Sequence, residues 1–321
     1  MPRIYDCFLY NDERELLSIR IQLLAPTVHK FVIVWSSETF TGLNKPEPFP
    51  LEVLKSPELE GRIELIELGA LIGNTAWEKE SFSRNALMRG IGDAGSSDLI
   101  MVSDIDEIPR PSVLAELAQA SHREWPVVLV QDYYNFKFNY KLIHGLQAVW
   151  AGPILCPLKD LRSAQELRDA RWVLLDSSSN RVEDAGWHFS YLTATADVSK
   201  KLTSFSHQED GIQSRRENID SLIATRHGFH DHLHPACVWA VVSLNSFNCP
   251  DLERLISRFP PLLVNDNADD SASIHRAIRH SVRQLCLYER SKMLSWFRWR
   301  ELVAELLRRL NHRISGLYRK I

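Results

Sequence analysis

No stretch of about 18 consecutive apolar residues occurs in the chain, so the sequence offers no hydrophobic helix for crossing a bilayer. Its first residues, MPRIYDCFLYNDE, lack the apolar core of a secretory signal. Cysteine is sparse and scattered. Cys7, Cys156, Cys237, Cys249 and Cys286 show no CxxC spacing, which removes the zinc-ribbon and redox readings. Cys7 and Cys286 stand in apolar surroundings and read as small buried hydrophobes. These absences set the expectation of a reducing, cytoplasmic location. There is no internal repeat, and no Gly-rich basic loop over Met1–Glu13 of the kind a nucleotidyltransferase would show. Charge of either sign is also lacking in excess: the net value is −3 over 321 residues, which argues against nucleic acid as a partner.

That mean conceals a division. Residues 271–321 carry 12 Lys and Arg against 3 Asp and Glu, a balance of +9, while residues 1–270 stand at −12. An acidic body with a basic tail is the natural reading. With 45% apolar and 25% charged residues, the composition is that of an ordinary globular protein able to bury a large core. The polar stretch VNDNADDSAS over Val264–Ser273 has the character of a linker, which gives two segments: a body over 1–265 and a linker with a basic amphipathic helical tail over 266–321. Two readings of the tail stand side by side. Its Leu302, Leu306, Leu307 and Leu310 stripe packs on the body, or Trp296, Phe297 and Trp299 sit among lipid headgroups as a peripheral contact at the inner face of a membrane.

In the body, strand and helix patterns alternate. IYDCFLY (Ile4–Tyr10), FVIVW (Phe31–Trp35), IELIEL (Ile63–Leu68) and LIMVS (Leu99–Ser103) read as strands, with helices over Asp12–Leu24 and Trp77–Ala94 between them. A further helix begins at Pro111, a strand runs over Pro126–Gln131, and the aromatic segment Tyr133–Trp150 reads as a hairpin. Such alternation predicts an α/β fold, a mainly parallel central sheet covered by helices, with ligands bound beyond the carboxyl ends of its strands. At one such end stands the densest chemistry of the chain. In DLIMVSDIDEIPRP the apolar strand stops at Asp104, Asp106 and Glu107. Three carboxylates so close repel one another unless a cation or a set of donors holds them. A hard divalent ion, Mn²⁺ or Mg²⁺, takes oxygen ligands and keeps positions for phosphate.

The stretches YDCFLYNDE (Tyr5–Glu13), FVIVWSSETFTG (Phe31–Gly42), SDIDEIP (Ser103–Pro109), GWHFSY (Gly186–Tyr191) and KLTSFSHQE (Lys201–Glu209), in that order, resemble the successive signatures of glycosyltransferase family 17. The resemblance runs over roughly residues 4–265. It implies a GT-A fold, a UDP-sugar donor with N-acetylglucosamine as the expected sugar, inversion at the anomeric carbon, and a glycan or glycolipid acceptor. One position departs: the family usually has Glu where this chain has Trp35.

Mapped onto this sequence, Asp104 and Asp106 are the expected metal residues, with His188 completing the shell. Asn11, Ser36, Arg84, Asn85 and Asp104 are the expected donor contacts, Arg84 steadying the diphosphate or bracing Asp104. The base that removes the acceptor proton is expected among Glu209, Asp132 and Asp231. Tyr133, Tyr134 and Trp150 are candidates for stacking on sugar faces. Alanine at Asp104 or Asp106 is expected to abolish transfer and leave the fold intact. A rival zinc site is conceivable in HGFHDHLHPAC, from His227, His230, His232, His234 and Cys237. Rival functions are a metal-dependent phosphohydrolase, disfavoured by the Glu107-Ile108-Pro109 that follows the aspartates, and a non-catalytic nucleotide-sugar or carbohydrate-binding protein.

Overall fold

A computed structural model describes residues 1–45, 47–120, 123–144, 149–192, 219–228 and 237–265, together with 274–276, 278–279 and 283. Strands β1 (Ile4–Leu9), β2 (Lys30–Ser36), β3 (Ile63–Leu68) and β4 (Leu99–Asp104) lie parallel in the order β3-β2-β1-β4. Next to β4 runs the antiparallel β8 (Val149–Pro157), followed by β6 (Val127–Asn135), β7 (Tyr140–His144) and β11 (Val238–Val241). The short β5 (Glu107–Pro109) and β9 (Arg181–Val182), with β10 (Gly186–Ser190), complete the sheet. β10 lies parallel to β6 and antiparallel to β5, and β9 lies parallel to β6. The α/β expectation is met by a large central sheet that is parallel over β3-β2-β1-β4 and mixed beyond β4.

The sheet is buried on both faces because its strands alternate two apolar sets with the period of two that extended chain imposes. In β1, Ile4 and Phe8 join one core with Phe31, Ile33 and Met101. Tyr5, Cys7 and Leu9 join another with Val32, Val34, Ile100 and Val102. Helix α1 (Arg14–Leu24) and the short α7 (Pro250–Ile256) contribute Leu16, Leu17, Leu252 and Leu255 to the first core, as does α3 (Pro111–Gln119), which Pro111 opens. The second face is covered by α2 (Ala76–Ala86) and α4 (Ala164–Asp169). Between α4 and β9 lies the five-residue α5 (Arg171–Leu175), and α6 (Ile219–Ala224) packs near β11.

Two sequence expectations shift. The helix anticipated over Trp77–Ala94 ends at Ala86 and tightens into a 3₁₀ turn, Leu87–Gly90. Gly90 there lies so near β2 that a Cβ would stand 2.4 Å from Val32, so the turn can form only without a side chain. The strand read over Pro126–Gln131 runs on through the aromatic segment to Asn135, because β10 pairs with its second half. Most of the basic tail lies outside the described residues, and so do Glu209, Asp231, His230, His232, His234 and the KLTSFSHQE stretch. Among the described residues no helix is long and apolar enough to cross a membrane.

Candidate active site

The parallel strands end together. Asp104, the last residue of β4, pairs across to Leu9, the last of β1, so that Asn11 and the β2 terminal residue Ser36 belong to the same carboxyl edge. Ligands bind in parallel sheets at that edge because the strand-to-helix loops collect there. Ser36 is held by its own neighbours: its hydroxyl accepts from Glu38 N at 3.0 Å and donates to the Gly69 carbonyl at 3.3 Å. The Asn11 backbone N–H donates to Glu13.

The turn after β4 is shaped by a residue from α1. Arg20 is fully buried and donates from Nη1 to the carbonyls of Asp104 (2.9 Å), Ile105 (3.1 Å) and Glu107 (3.0 Å), and from Nη2 to the Ser103 hydroxyl (2.6 Å). Its charge is answered by Asp6. The Asp104 N–H closes the turn onto Glu107 Oε2.

The acidic cluster is then sorted into two kinds of carboxylate. Asp104 receives Arg84 Nη1 on Oδ1 at 2.8 Å and Arg168 Nη2 on Oδ2 at 2.6 Å. Glu107, wholly buried, receives Arg168 on both oxygens at 2.6 and 2.7 Å and Trp150 Nε1 at 2.6 Å. Guanidinium donors hold these two. Burial opposes the Asp104 charge, but Arg168 and Arg84 outweigh it and keep the carboxyl far below its usual range. The Arg168 guanidinium moves the opposite way, upward: burial works against its charge, and Asp104 and Glu107 more than compensate. Replacing Asp104 removes a charge that two buried guanidinium groups share and so carries a cost in stability, limited because Arg84 keeps Glu80 and Arg168 keeps Glu107.

Asp106 is the third carboxylate, and among the described residues no guanidinium takes it. Its Oδ2 lies 3.4 Å from Nε2 of His188, which β10 brings beside Tyr133 of β6 on one side and Glu107 of β5 on the other. The His188 ring stacks on Trp150 (centroids 4.3 Å apart) and Tyr133 (5.1 Å), and its Nδ1 is buried without a partner among the described residues. An ion held between His188 Nε2 and Asp106 Oδ2 would take the Nε2 lone pair and put the imidazole proton on Nδ1. One carboxylate oxygen and one imidazole nitrogen at this separation fit two positions on a Mn²⁺ or Mg²⁺ ion that leaves the others for phosphate and water. Among the described residues no three His, Cys, Asp or Glu side chains converge as a metal cage, at this place or around His227 and Cys237.

Other expected site residues fall in different places. Arg84 is buried and braces Asp104, with Glu80 and Gln165 completing its contacts. Asn85 is exposed and its amide oxygen accepts from Gln165 N, fixing the start of α4. Asp132 is paired with Lys141 at 2.7 Å. Tyr133 and Trp150 stand in the ring stack. Tyr134 is corrected: it points to the opposite face, has no exposed surface and packs on Phe189 and Phe247, so it is core and offers no sugar platform. Trp35, at the position that departs from the family pattern, packs on Phe49 and leaves its Nε1 buried without a partner.

The sequence reading missed Asp6, Arg20 and Arg168. Asp6 interrupts an otherwise apolar strand, and Arg20 stands among Leu16, Leu17, Leu23 and Leu24 on the apolar stripe of α1. A charge in the buried register of two consecutive elements was the available signal. Arg168 had none, since QELRDARW is an unremarkable charged stretch.

The site is an acidic strand end braced by arginines at the carboxyl edge of the parallel strands of an α/β protein. Residues 1–226 match the family model of glycosyltransferase family 17, and the chain belongs to that family: it is a glycosyltransferase. A search of curated proteins gave no match. Among solved structures, the chain is similar to a 4-diphosphocytidyl-2C-methyl-D-erythritol synthase at 14% identity, covering 59% of this chain and 90% of that one with a TM-score of 0.35. It is similar to S. aureus TarS at 10% identity, with 66% and 68% covered and a TM-score of 0.34. An active-site mutant of LgtC matches at 12%, with 67% and 82% covered and a TM-score of 0.28. Likenesses this distant carry no functional reading.

Proposed function

We propose that the chain is an inverting, metal-dependent glycosyltransferase that moves N-acetylglucosamine from a UDP-sugar to a hydroxyl of a glycan or glycolipid. The observation that supports this most is the pairing of Asp106 with His188, an oxygen and a nitrogen donor set at the strand end beside an arginine-held Asp104. Asp106 and His188 would hold the ion, which supplies a Lewis acid for the leaving diphosphate. Asp104 fixes Arg84 and Arg168 around the phosphate side of the site, and Arg20 holds the turn so that Asp106 keeps its place. Trp150, anchored by Glu107, holds the imidazole plane of His188.

For the proton of the acceptor hydroxyl, Glu209, Asp132 and Asp231 remain the candidates. Asp132 would have to give up Lys141 to serve. The body over 1–265 carries the transfer in this reading, and for the basic tail from 266 both alternatives stand, packing on the body or a peripheral contact with an anionic membrane on the cytoplasmic side.

The test is transfer from UDP-N-acetylglucosamine with and without Mn²⁺, using wild type, Asp106→Asn and His188→Gln. Metal-dependent turnover in wild type and its loss in both variants is the expected result. Metal-independent turnover, or preference for a GDP- or CMP-sugar, overturns it.

A further inference from the structure

Arg171 opens α5, three residues after Arg168, and it is a guanidinium with nothing to hold. Among the described residues it makes no hydrogen bond or ion pair; its cation lies over the ring of its neighbour Trp172, 5.2 Å from the centroid. Its Nε is buried without a partner. Yet it lies within electrostatic reach of Asp104, Glu107, Arg84 and Arg168.

The nearby carboxylates are engaged with other donors. Both oxygens of Asp104 are taken by Arg84 and Arg168, and both oxygens of Glu107 by Arg168 and Trp150. Asp169, close in sequence, accepts from Gln165. Burial, with repulsion from Arg168, brings the Arg171 guanidinium down to about 10, whereas Arg84 and Arg168, which have carboxylate partners, are raised. A partly desolvated cation whose neighbouring carboxylates are already paired with other guanidinium groups leaves a place for a counter-charge that the ligand can bring. A planar guanidinium fork matches two oxygens of a phosphate.

We infer that Arg171 is an anion-binding residue of this site that takes phosphate oxygens of the donor's diphosphate. The inference rests on the nucleotide-sugar reading above. It assigns a task to a residue outside the five signature stretches, on the β8 side of the acidic strand end. Trp172 is 44% exposed and sets its edge against Trp150 at 5.6 Å, so the cation is carried on an aromatic pair that continues to His188.

Calorimetry on the full chain with Mn²⁺ tests this, using UDP, uridine and inorganic pyrophosphate as separate probes against wild type, R171K and R171Q. UDP should bind at least tenfold more weakly to R171Q and less weakly than that to R171K, with uridine unaffected. R171Q should melt no lower than wild type, because it removes a cation without a partner. UDP affinity in R171Q within twofold of wild type overturns the inference, as does an equal weakening of uridine. If wild type binds no UDP, the donor reading fails by itself and pyrophosphate decides: binding lost in R171Q supports the anion site, while equal binding, or none in wild type, overturns it. Should R171Q fail to fold, R171K against wild type is decisive by the same UDP-to-uridine comparison.

Discussion

Arg20 of α1 grips Asp6 of β1 through Nε and Nη2, at 2.9 and 2.6 Å, and neither side chain reaches solvent. The pair locks the first helix to the first strand, and the remaining donors of the same guanidinium hold the turn that carries Asp106. Removing one partner of a buried pair costs about 3–5 kcal/mol because the other charge is left alone. Arg20→Met should lose stability on that scale in urea unfolding. The double variant Asp6→Leu/Arg20→Met should recover part of the loss, and a double variant no more stable than the single one would show that the pair is not coupled.

Asp104 and Asp106 should separate in their effects. Asp106 answers to His188, so Asp106→Asn should abolish metal-dependent turnover with a shift in stability under about 0.5 kcal/mol, the range of substitutions away from buried networks. Asp104→Asn removes the charge that Arg84 and Arg168 share, leaving Arg84 with Glu80 and Arg168 with Glu107. Because 38% of the Asp104 side chain is exposed, the cost is discounted to about 1–2 kcal/mol from that of a fully buried pair. Activity and urea midpoint measured on both variants check this, and equal midpoints would refute the division.

The same carboxylate sets a pH dependence. Asp104 is depressed when folded, so it binds fewer protons folded than unfolded, and its stabilisation is present above the unfolded value of about 3.9. It is lost as pH falls from there toward the folded value. The stability gap between wild type and Asp104→Asn should stay level from about pH 7 to 5 and close below about pH 4. A gap that closes near neutral pH would contradict the assignment.

Thiol chemistry should follow burial. Burial pushes Cys156 up to about 12 and Cys7 higher than its ordinary value, while Cys237 and Cys249 are partly exposed. At pH 8 an alkylating reagent followed by mass spectrometry should label Cys237 and Cys249 within minutes, and Cys7 and Cys156 only on unfolding. Rapid labelling of Cys156 in the folded protein would be inconsistent with its place between β4 and β6.

Much of the frame was legible because it is periodic. Four apolar strands separated by helices require a covered parallel sheet, and the acidic end of LIMVSD has to emerge at its carboxyl edge whatever the loops do. The family signatures placed His188 beside the aspartates from 82 residues away, which composition could never do. The aromatic segment was ambiguous for a physical reason: Tyr133 and Tyr134 are adjacent in sequence and alternate faces in a strand, so one joins the His188 stack and the other the core, and only the pairing of β6 with β10 says which.

The amino-acid sequence by itself determined the layered α/β body, the position of the acidic turn and the family to which the chain belongs, since these rest on local periodicity and on ordered motifs. Tertiary structure alone decided which carboxylates the arginines hold. Asp104, Asp106 and Glu107 look alike along the chain. What distinguishes them is where Arg20, Arg84 and Arg168 arrive from three separate helices, and long-range charge pairing of that kind leaves no periodic trace in a sequence.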